Sequence, residues 1–111
     1  MRIIYFGSAQ FGIPCLEAIN QSRHELVRIF TQPAKPAGRH RHLKPTDVAM
    51  WAKNKGLDYV EAANINKPDI VEQIAACKGD LLVVIAFGQK ISQEVIGLFP
   101  HEAINVHASL L

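Results

Sequence analysis

The chain has 111 residues, of which 49% are hydrophobic and 20% charged, and this composition excludes a disordered protein. The formal net charge is only +2, so any basic surface must be local. The longest apolar run, residues 81–87, is far shorter than the ~20 residues that a bilayer requires, and the first residues are too few and too mixed for a secretory signal. We therefore expect a cytoplasmic globular domain without a membrane segment.

The first third of the chain predicts a strand, a helix and a second strand. Residues 2–6 form a β-branched and aromatic run that ends at Gly7, which is typical of a short strand. Apolar residues then recur at helical spacing, with Pro14 in the first turn, and residues 26–30 predict the second strand. The residues at helical spacing are Phe11, Cys15, Ala18 and Ile19.

The rest of the chain predicts three helices and three strands in alternation. Thr46 is the expected N-cap of a helix that ends near Gly56, and a weak strand follows at residues 59–60. A helix opens at Pro68, and residues 81–86 are apolar on both faces, as in a strand buried in a parallel sheet. A short helix after Ser92 and a strand over residues 103–106 complete the pattern. The expected inward residues of the two longer helices are Val48, Trp51, Ala52, Ile70, Ile74 and Cys77.

This alternation predicts an α/β protein with an open, doubly wound, mostly parallel sheet. Ligands of such sheets bind outside the carboxyl ends of the strands. Residues 7–12, residues 87–91 and the segment from Asn105 onward lie there in the predicted order. Residues 7–12 lack the G-x-G-x-x-G spacing, and no acidic residue closes the second strand, so the pattern does not favour dinucleotide binding.

The cysteines and histidines do not form an expected metal site. Cys15 and Cys77 lie far apart and outside any C-x-x-C pair, so buried thiols are favoured over a disulfide or metal site. His40 and His42 have no Cys or carboxylate neighbour at ligand spacing.

A long basic loop separates the second strand from Thr46. Residues 26–46 contain no acid, yet Lys35, Arg39, Arg41 and Lys44 all lie within this stretch. Long loops in compact domains tend to be functional or disordered, and a cationic loop suits phosphates. A solvated surface loop is the alternative interpretation.

The last predicted strand carries an amide and an imidazole two residues apart. Asn105 and His107 share one face of that strand, since alternate residues of a strand point the same way. A hydrogen-bond donor beside a proton carrier suits chemistry at a carbonyl-like carbon. An edge strand that ends in two satisfied polar groups is the alternative. The ending Ser109-Leu110-Leu111 is unlike a polar, frayed tail, so we expect the sequence to stop inside a domain.

Four stretches together resemble the formyltetrahydrofolate-dependent formyltransferases. Residues 105–111 resemble their N-x-H-x-S-L-L stretch, and residues 86–91 resemble their A-Y-G-x-I segment. Residues 6–14 are similar to the F-x-G-T-P-x-F-x-x-P opening of the members that act on methionyl-tRNA, with Ser8-Ala9 where Thr-Pro is usual. Residues 31–39 are similar to the T-Q-P-x-x-P-A-G-R loop of the same members, which the glycinamide ribonucleotide enzymes lack.

The resemblance implies a reaction and a role for each site residue. A formyl group would pass from formyl-tetrahydrofolate to the methionine amino group of initiator methionyl-tRNA, as translation begins. Asn105 would hold the oxyanion, and His107 would donate to it or move the proton of the amine. The folate side would comprise Phe87, Gly88, Gln89, Ile91, Ser109, Leu110 and Leu111, and the tRNA side would comprise Arg39, Arg41 and Lys44.

The resemblance also implies a domain organisation. Residues 1–111 would be the N-terminal part of a Rossmann-like catalytic domain, truncated at its C-terminal side. A third site residue, an Asp, and a C-terminal domain would follow Leu111, so the chain alone would be inactive and the complete protein a monomer. Two alternatives stay open: a formyltransferase acting on a sugar nucleotide or glycinamide ribonucleotide, and a non-catalytic basic α/β module that binds nucleic acid.

Overall fold

The computed structural model describes residues 1–39 and 41–106. Within them the chain forms seven strands, four α-helices and one short 3-10 turn, Gln10–Gly12. The strands are β1 (Arg2–Gly7), β2 (Glu25–Thr31), β3 (Lys35–Ala37), β4 (His42–Lys44), β5 (Tyr59–Glu61), β6 (Leu81–Ile85) and β7 (Ala103–Val106). The helices are α1 (Ile13–Gln21), α2 (Asp47–Asn54), α3 (Pro68–Cys77) and α4 (Gln93–Ile96).

Five strands form one parallel sheet in the order β5-β2-β1-β6-β7. The chain builds outward from β1 to β2 and β5, then returns to the other side of β1 for β6 and β7. The strand order therefore reverses between β1 and β6, which is the point at which sheets of this kind bind ligands. The predicted open, doubly wound, parallel α/β fold is confirmed.

The two faces of the sheet carry separate cores. Ile3 and Tyr5 of β1 pack with residues of α1 and α2, whereas Ile4 and Phe6 of the same strand pack with residues of α3 and α4. Strand β6 alternates in the same way, and residues 82–85 are all buried, as predicted for a strand covered on both faces. Trp51 and the other expected inward residues of α2 and α3 are buried.

Side-chain caps fix the helix starts near the carboxyl edge of the sheet. Thr46 Oγ1 accepts a hydrogen bond from the Ala49 amide at 3.0 Å, and Ser92 Oγ accepts one from the Val95 amide at 3.2 Å. Each cap satisfies an amide that the first helical turn leaves without a partner. Both predicted N-caps are confirmed.

The first helix departs from the predicted pattern. Residues 10–12 form a 3-10 turn, whose tighter winding shifts the phase of the side chains before α1 begins. Phe11 is consequently 54% exposed, Ala18 is also exposed, and Leu16 is the fully buried residue of α1. Cys15 is only half-buried, whereas Cys77 is buried, and both thiols are free.

The basic loop is also more ordered than expected. Strands β3 and β4 form an antiparallel hairpin, described over residues 35–39 and 41–44, which pairs Lys35 with Lys44. All six strand residues of the hairpin are exposed, so neither strand shows the alternation of apolar and polar residues that marks a half-buried strand. Among the described residues, no helix is long and apolar enough to cross a membrane.

Candidate functional site

The carboxyl ends of β1, β6 and β7 bring three predicted segments together. Gly7 pairs with Ile85 at the ends of β1 and β6, and the Ser8 amide donates to the Ala86 carbonyl at 3.3 Å. Asn105 pairs with Val84 one strand further along. The turn after β1, the loop after β6 and Asn105 therefore lie along one edge, as the predicted topology requires.

Two neighbouring cavities flank Asn105. One, of about 240 Å³, is lined by residues 86–89 together with Val84 and Asn105. The other, of about 340 Å³, adds apolar side chains and is lined by Val84, Gln89, Lys90, Ile91, Ile96, Ala103 and Asn105. The Asn105 side chain is exposed and makes no hydrogen bond to any residue that the structure describes. Its amide group is therefore available to a ligand in either cavity.

The loop after β6 lines these cavities with residues 86–91. The Phe87 ring is turned into the core, where it is 3% exposed and lies 5.3 Å from the Phe6 ring between centroids. Ala86 has φ 48° and Gly88 has φ 85°, so both residues adopt left-handed backbone conformations. Ile91 packs partly against the same core. The ring of Phe87 thus anchors the loop to the core and is not exposed.

Gln89 uses its whole side-chain amide on protein partners. Its Nε2 donates to Gln32 Oε1 at 2.9 Å and to the Ala62 carbonyl at 2.7 Å. Its Oε1 accepts from the Ile65 amide at 2.7 Å. Gln32 Nε2 in turn donates to the Phe87 carbonyl at 3.1 Å. The loops after β2, β5 and β6 are therefore joined through two side-chain amides.

A chain of hydroxyl groups supports the same edge. Thr31, which is fully buried, lies 2.6 Å from the Thr46 hydroxyl and 3.3 Å from the Ser8 hydroxyl between oxygens. Ser8 Oγ also accepts a hydrogen bond from the backbone amide of Gln32 at 3.0 Å. The start of α2, the turn after β1 and the end of β2 are fixed to one another by these contacts.

Glycines after β1 accommodate a core tyrosine. A Cβ at Gly12 would meet the Tyr5 hydroxyl, and one at Gly7 would lie 2.5 Å from Tyr5 Cε1. The Tyr5 ring is fully buried, and this burial raises the pKa of its hydroxyl. These glycines thus serve close packing, in agreement with the absence of a dinucleotide fingerprint from the sequence.

The hairpin concentrates exposed positive charge beside this edge. Arg39, Arg41 and Lys44 are exposed, and Lys35 lies opposite Lys44. The ion pairs Arg2–Glu25 and Lys55–Glu17 do not involve these four cations. A cavity of about 390 Å³ between the hairpin and α2 is lined by Leu43, Lys44, Pro45, Ala49, Met50, Lys53, Asn54 and Tyr59. Its lining contains two lysines and no acid.

Comparison with known proteins identifies the family. The formyl transferase family model matches residues 1–111, the whole chain. The chain belongs to this family. Among curated relatives, the methionyl-tRNA formyltransferases of Legionella pneumophila (strain Paris) and Alkaliphilus oremlandii are each 40% identical over 111 residues. The chain spans 35% and 36% of their respective lengths and is itself covered completely.

Solved structures of formyl transferases share the fold. Phosphoribosylglycinamide formyltransferase from Bacillus halodurans superposes with a TM-score of 0.69 at 18% identity, covering the whole chain and 58% of that protein. Glycinamide ribonucleotide transformylase 1 from Symbiobacterium toebii gives 0.67 at 16% identity, with the whole chain and 53% of that protein covered. At these identities the likeness establishes the shared architecture alone.

The predicted formyl transferase site is partly visible. Asn105, Gly88, Gln89 and Ile91 meet around the two cavities, while the Phe87 ring lies beneath the loop. His107, Ser109, Leu110 and Leu111 lie outside the described residues. Within the described part no cluster of His, Cys, Asp or Glu is suited to hold a metal ion.

Residues that the sequence did not single out also shape the site. Gln32 and Asn66 are the clearest cases, because Asn66 Nδ2 donates to the Lys90 carbonyl at 2.9 Å and its Oδ1 accepts from the Ser92 amide at 2.9 Å. Both side chains hold the loop after β6 from distant parts of the chain. Gln32 lies in the stretch that resembles the T-Q-P-x-x-P-A-G-R loop, but that pattern does not predict its contact, since the partners of both side chains come together only in the folded sheet.

Proposed function

We propose that this formyl transferase transfers a formyl group from formyl-tetrahydrofolate to the methionine amino group of initiator methionyl-tRNA. The observation that carries the proposal is the placement of Asn105. Its exposed amide lies at the carboxyl end of β7, beside the switch point and between two cavities. An amide donor in that position is suited to a carbonyl oxygen that gains negative charge.

The reaction follows from the chemistry of the two reactants. The methionine amine attacks the formyl carbon, which becomes tetrahedral. The formyl oxygen becomes an oxyanion, to which Asn105 donates a hydrogen bond. The bond between the formyl carbon and the folate nitrogen then breaks, and that nitrogen takes a proton. His107, placed by the sequence on the same strand face, moves the proton released by the amine. A histidine suits this step because its ordinary pKa of ~6.5 makes both protonation states accessible near neutral pH.

The two cavities fit a flat, partly apolar donor. Val84, Ile91, Ile96 and Ala103 supply apolar surface, and Gly88, Gln89 and Lys90 border the same cavities, so we expect their backbone groups to supply the polar contacts. Ligand pockets of roughly 300–1,000 Å³ combine these features. The residues present therefore suit a pterin ring held at its edges by backbone hydrogen bonds.

The acceptor is assigned from the hairpin and the relatives. Arg39, Arg41 and Lys44 form an exposed cationic surface on the hairpin that follows β2, which suits the phosphates of tRNA. The curated relatives at 40% identity are named for methionyl-tRNA, whereas the proteins named for glycinamide ribonucleotide are 18% and 16% identical. Both observations support tRNA over a small ribonucleotide.

The decisive experiment substitutes the oxyanion donor in the full-length protein. Asn105→Ala should lower kcat for methionyl-tRNA formylation by roughly 100- to 1000-fold, with folate binding and thermal stability nearly unchanged. Asn20→Ala, at an exposed amide on α1, is the matched control and should leave kcat unchanged. An Asn105→Ala protein that keeps wild-type turnover would make the amide structural.

The choice of acceptor is tested with the unsubstituted protein. We expect formylation of methionyl-tRNA and none of glycinamide ribonucleotide or an amino sugar nucleotide. Transfer to one of the small acceptors alone would establish the alternative enzyme. Binding of tRNA without transfer to any acceptor would establish the nucleic-acid-binding module instead.

A further inference from the structure

We infer that Gln32 and Gln89 form a positioning pair that sets the conformation of residues 86–91 for the formyl donor. The inference rests on the proposed function, because it assigns the pair to the donor side of that same site. It concerns residues that act through the loop backbone, and neither side chain needs to touch the reacting atoms.

Backbone partners fix the orientation of both amides. Gln89 meets the Ala62 carbonyl, which can only accept, and the Ile65 amide, which can only donate, so its Nε2 and Oε1 cannot exchange places. Gln32 must likewise turn its Nε2 to the Phe87 carbonyl. With both amides oriented in this way, Gln89 Nε2 must be the donor and Gln32 Oε1 the acceptor of the hydrogen bond between them. The pair is thus a directional link from the loop after β5 to the loop after β6.

The loop needs such a link because its backbone is strained. Ala86, at φ 48°, adopts a left-handed conformation that residues with a Cβ rarely occupy, and Gly88 follows at φ 85°. The carbonyl of Phe87, between these two residues, is the group that Gln32 holds. Unusual backbone conformations persist where their surroundings over-determine them, and they are concentrated at functional sites.

The loop that the pair holds borders the candidate site. Gln89 lines both cavities, and so does Asn105. A Cβ at Gly88 would lie 3.2 Å from Gln32 Nε2, so the loop backbone lies directly against the pair. A change in the pair therefore moves the backbone groups at residues 88–90, which the proposed function assigns to the donor.

The near-isosteric Gln89→Glu substitution separates positioning from simple packing. An ionised carboxylate would place an oxygen against the Ala62 carbonyl and against Gln32 Oε1, and both contacts would be repulsive. These neighbours favour the neutral acid, which restores one of the two lost donors. The effect of this variant should therefore depend on pH, in a range where the wild-type amide does not titrate.

The test measures both Michaelis constants in the full-length protein. At about pH 8, Gln89→Glu should raise KM for formyl-tetrahydrofolate by about 5- to 100-fold, and KM for methionyl-tRNA should stay unchanged. The loss relative to wild type should shrink toward about pH 5.5, as the introduced acid becomes neutral. Gln89→Met should show the same loss at both pH values. Gln73→Glu, at an exposed glutamine of α3, is the control and should leave KM unchanged at either pH.

Amide hydrogen exchange of residues 86–91 without folate gives a second measurement. Both Gln89 variants should speed exchange in this loop while leaving β1 and β6 protected. Unchanged exchange, or an unchanged donor KM in Gln89→Glu, would overturn the positioning role. Equal losses for both substrates, together with a lowered Tm, would make the pair purely structural. A wild-type protein that neither binds nor uses formyl-tetrahydrofolate would instead overturn the proposed function.

Discussion

The loop at residues 86–91 and the hairpin at residues 35–44 border the same sheet edge but use polar groups in opposite ways. The loop is held by the side chains of Gln32, Asn66 and Gln89, each bonded to a partner within the fold. The hairpin exposes four cations that take part in neither described ion pair. One region is preorganised by the protein itself, and the other is suited to a partner that brings negative charge.

The hairpin geometry carries an electrostatic cost that supports this contrast. Lys35 and Lys44 are directly opposite in register, an arrangement that is unfavourable for like charges in a strand pair. Arg41 adopts a left-handed conformation at φ 57°, and its backbone amide donates a hydrogen bond to the Gly38 carbonyl at 3.2 Å. A phosphate backbone would relieve the repulsion between the lysines. The hairpin geometry therefore accords with the polyanionic partner that we propose for it.

Charge reversal in the hairpin should have the largest effect, and it should change tRNA binding without changing stability. Replacing Arg39, Arg41 and Lys44 together by Glu should flatten the dependence of log K for tRNA on log salt by about one unit per lost contact. Tm should hardly change, since exposed substitutions alter stability by less than about 0.5 kcal/mol. Reversal of Arg23, Lys67 and Lys78, which are exposed outside the hairpin, is the matched control. A salt slope equal to that of the control would return the hairpin to the solvated-surface interpretation.

The hydroxyl chain should show the opposite behaviour, with a loss of stability. Thr31→Val keeps the shape and strand preference of a buried residue but removes its bonds to Ser8 and Thr46. The free energy of unfolding should fall by about 1–3 kcal/mol in urea titrations, with an unchanged m-value. Thr31→Ser, which retains the hydroxyl, should recover part of that loss. A Thr31→Val protein as stable as wild type would show that these hydroxyl contacts contribute little.

Two glycines allow a direct comparison of the regions. Gly38 in the hairpin has φ 75°, and no atom of the described residues lies within 4 Å of the position that a Cβ would occupy there. Gly88 has φ 85°, and Gln32 Nε2 lies 3.2 Å from the corresponding position. Gly38→Ala should therefore cost only the left-handed strain, about 1–2 kcal/mol. Gly88→Ala should cost that amount plus the free energy needed to displace the side-chain amide of Gln32. Equal changes in unfolding free energy would mean that the loop yields as readily as the hairpin.

The sequence predicts the layers of this fold far better than the bonds at its edge. Apolar runs and capping residues such as Thr46 and Ser92 act locally, so their patterns remain visible in one dimension. The hairpin strands could not be predicted, because both are exposed and show no alternation of apolar and polar residues. The exposure of Phe11 could not be predicted either, because a 3-10 turn shifts the helical phase. The Gln32–Gln89 bond joins residues 57 positions apart, and no local pattern encodes such a contact. The prediction of Asn105 as a site residue rests on its spacing to His107, which is a local feature of the sequence.

A contact between α1 and α2 is intermediate between the two regions, because it is partly exposed yet paired. The Glu17 carboxylate accepts a hydrogen bond from Trp51 Nε1 and lies 3.3 Å from Lys55 Nζ. The bond from Trp51, with a smaller contribution from Lys55, lowers the pKa of Glu17 below its ordinary value of 4.5. A carboxyl whose pKa is lowered by folding stabilises the protein above the unfolded pKa, and this contribution is lost as the pH falls through the folded value.

Glu17→Gln should therefore have the smallest effect, and one confined to a pH range. The variant should be slightly less stable than wild type at about pH 7, and the difference should disappear as the pH is lowered from about 4.5 toward the folded pKa. This difference in unfolding free energy is measured by urea unfolding, followed by Trp51 fluorescence, at several pH values. Glu72→Gln, at an exposed carboxylate of α3, controls for the loss of one surface charge. A difference that persists at about pH 3 would show that packing around Trp51, and not the ionised carboxylate, joins the two helices.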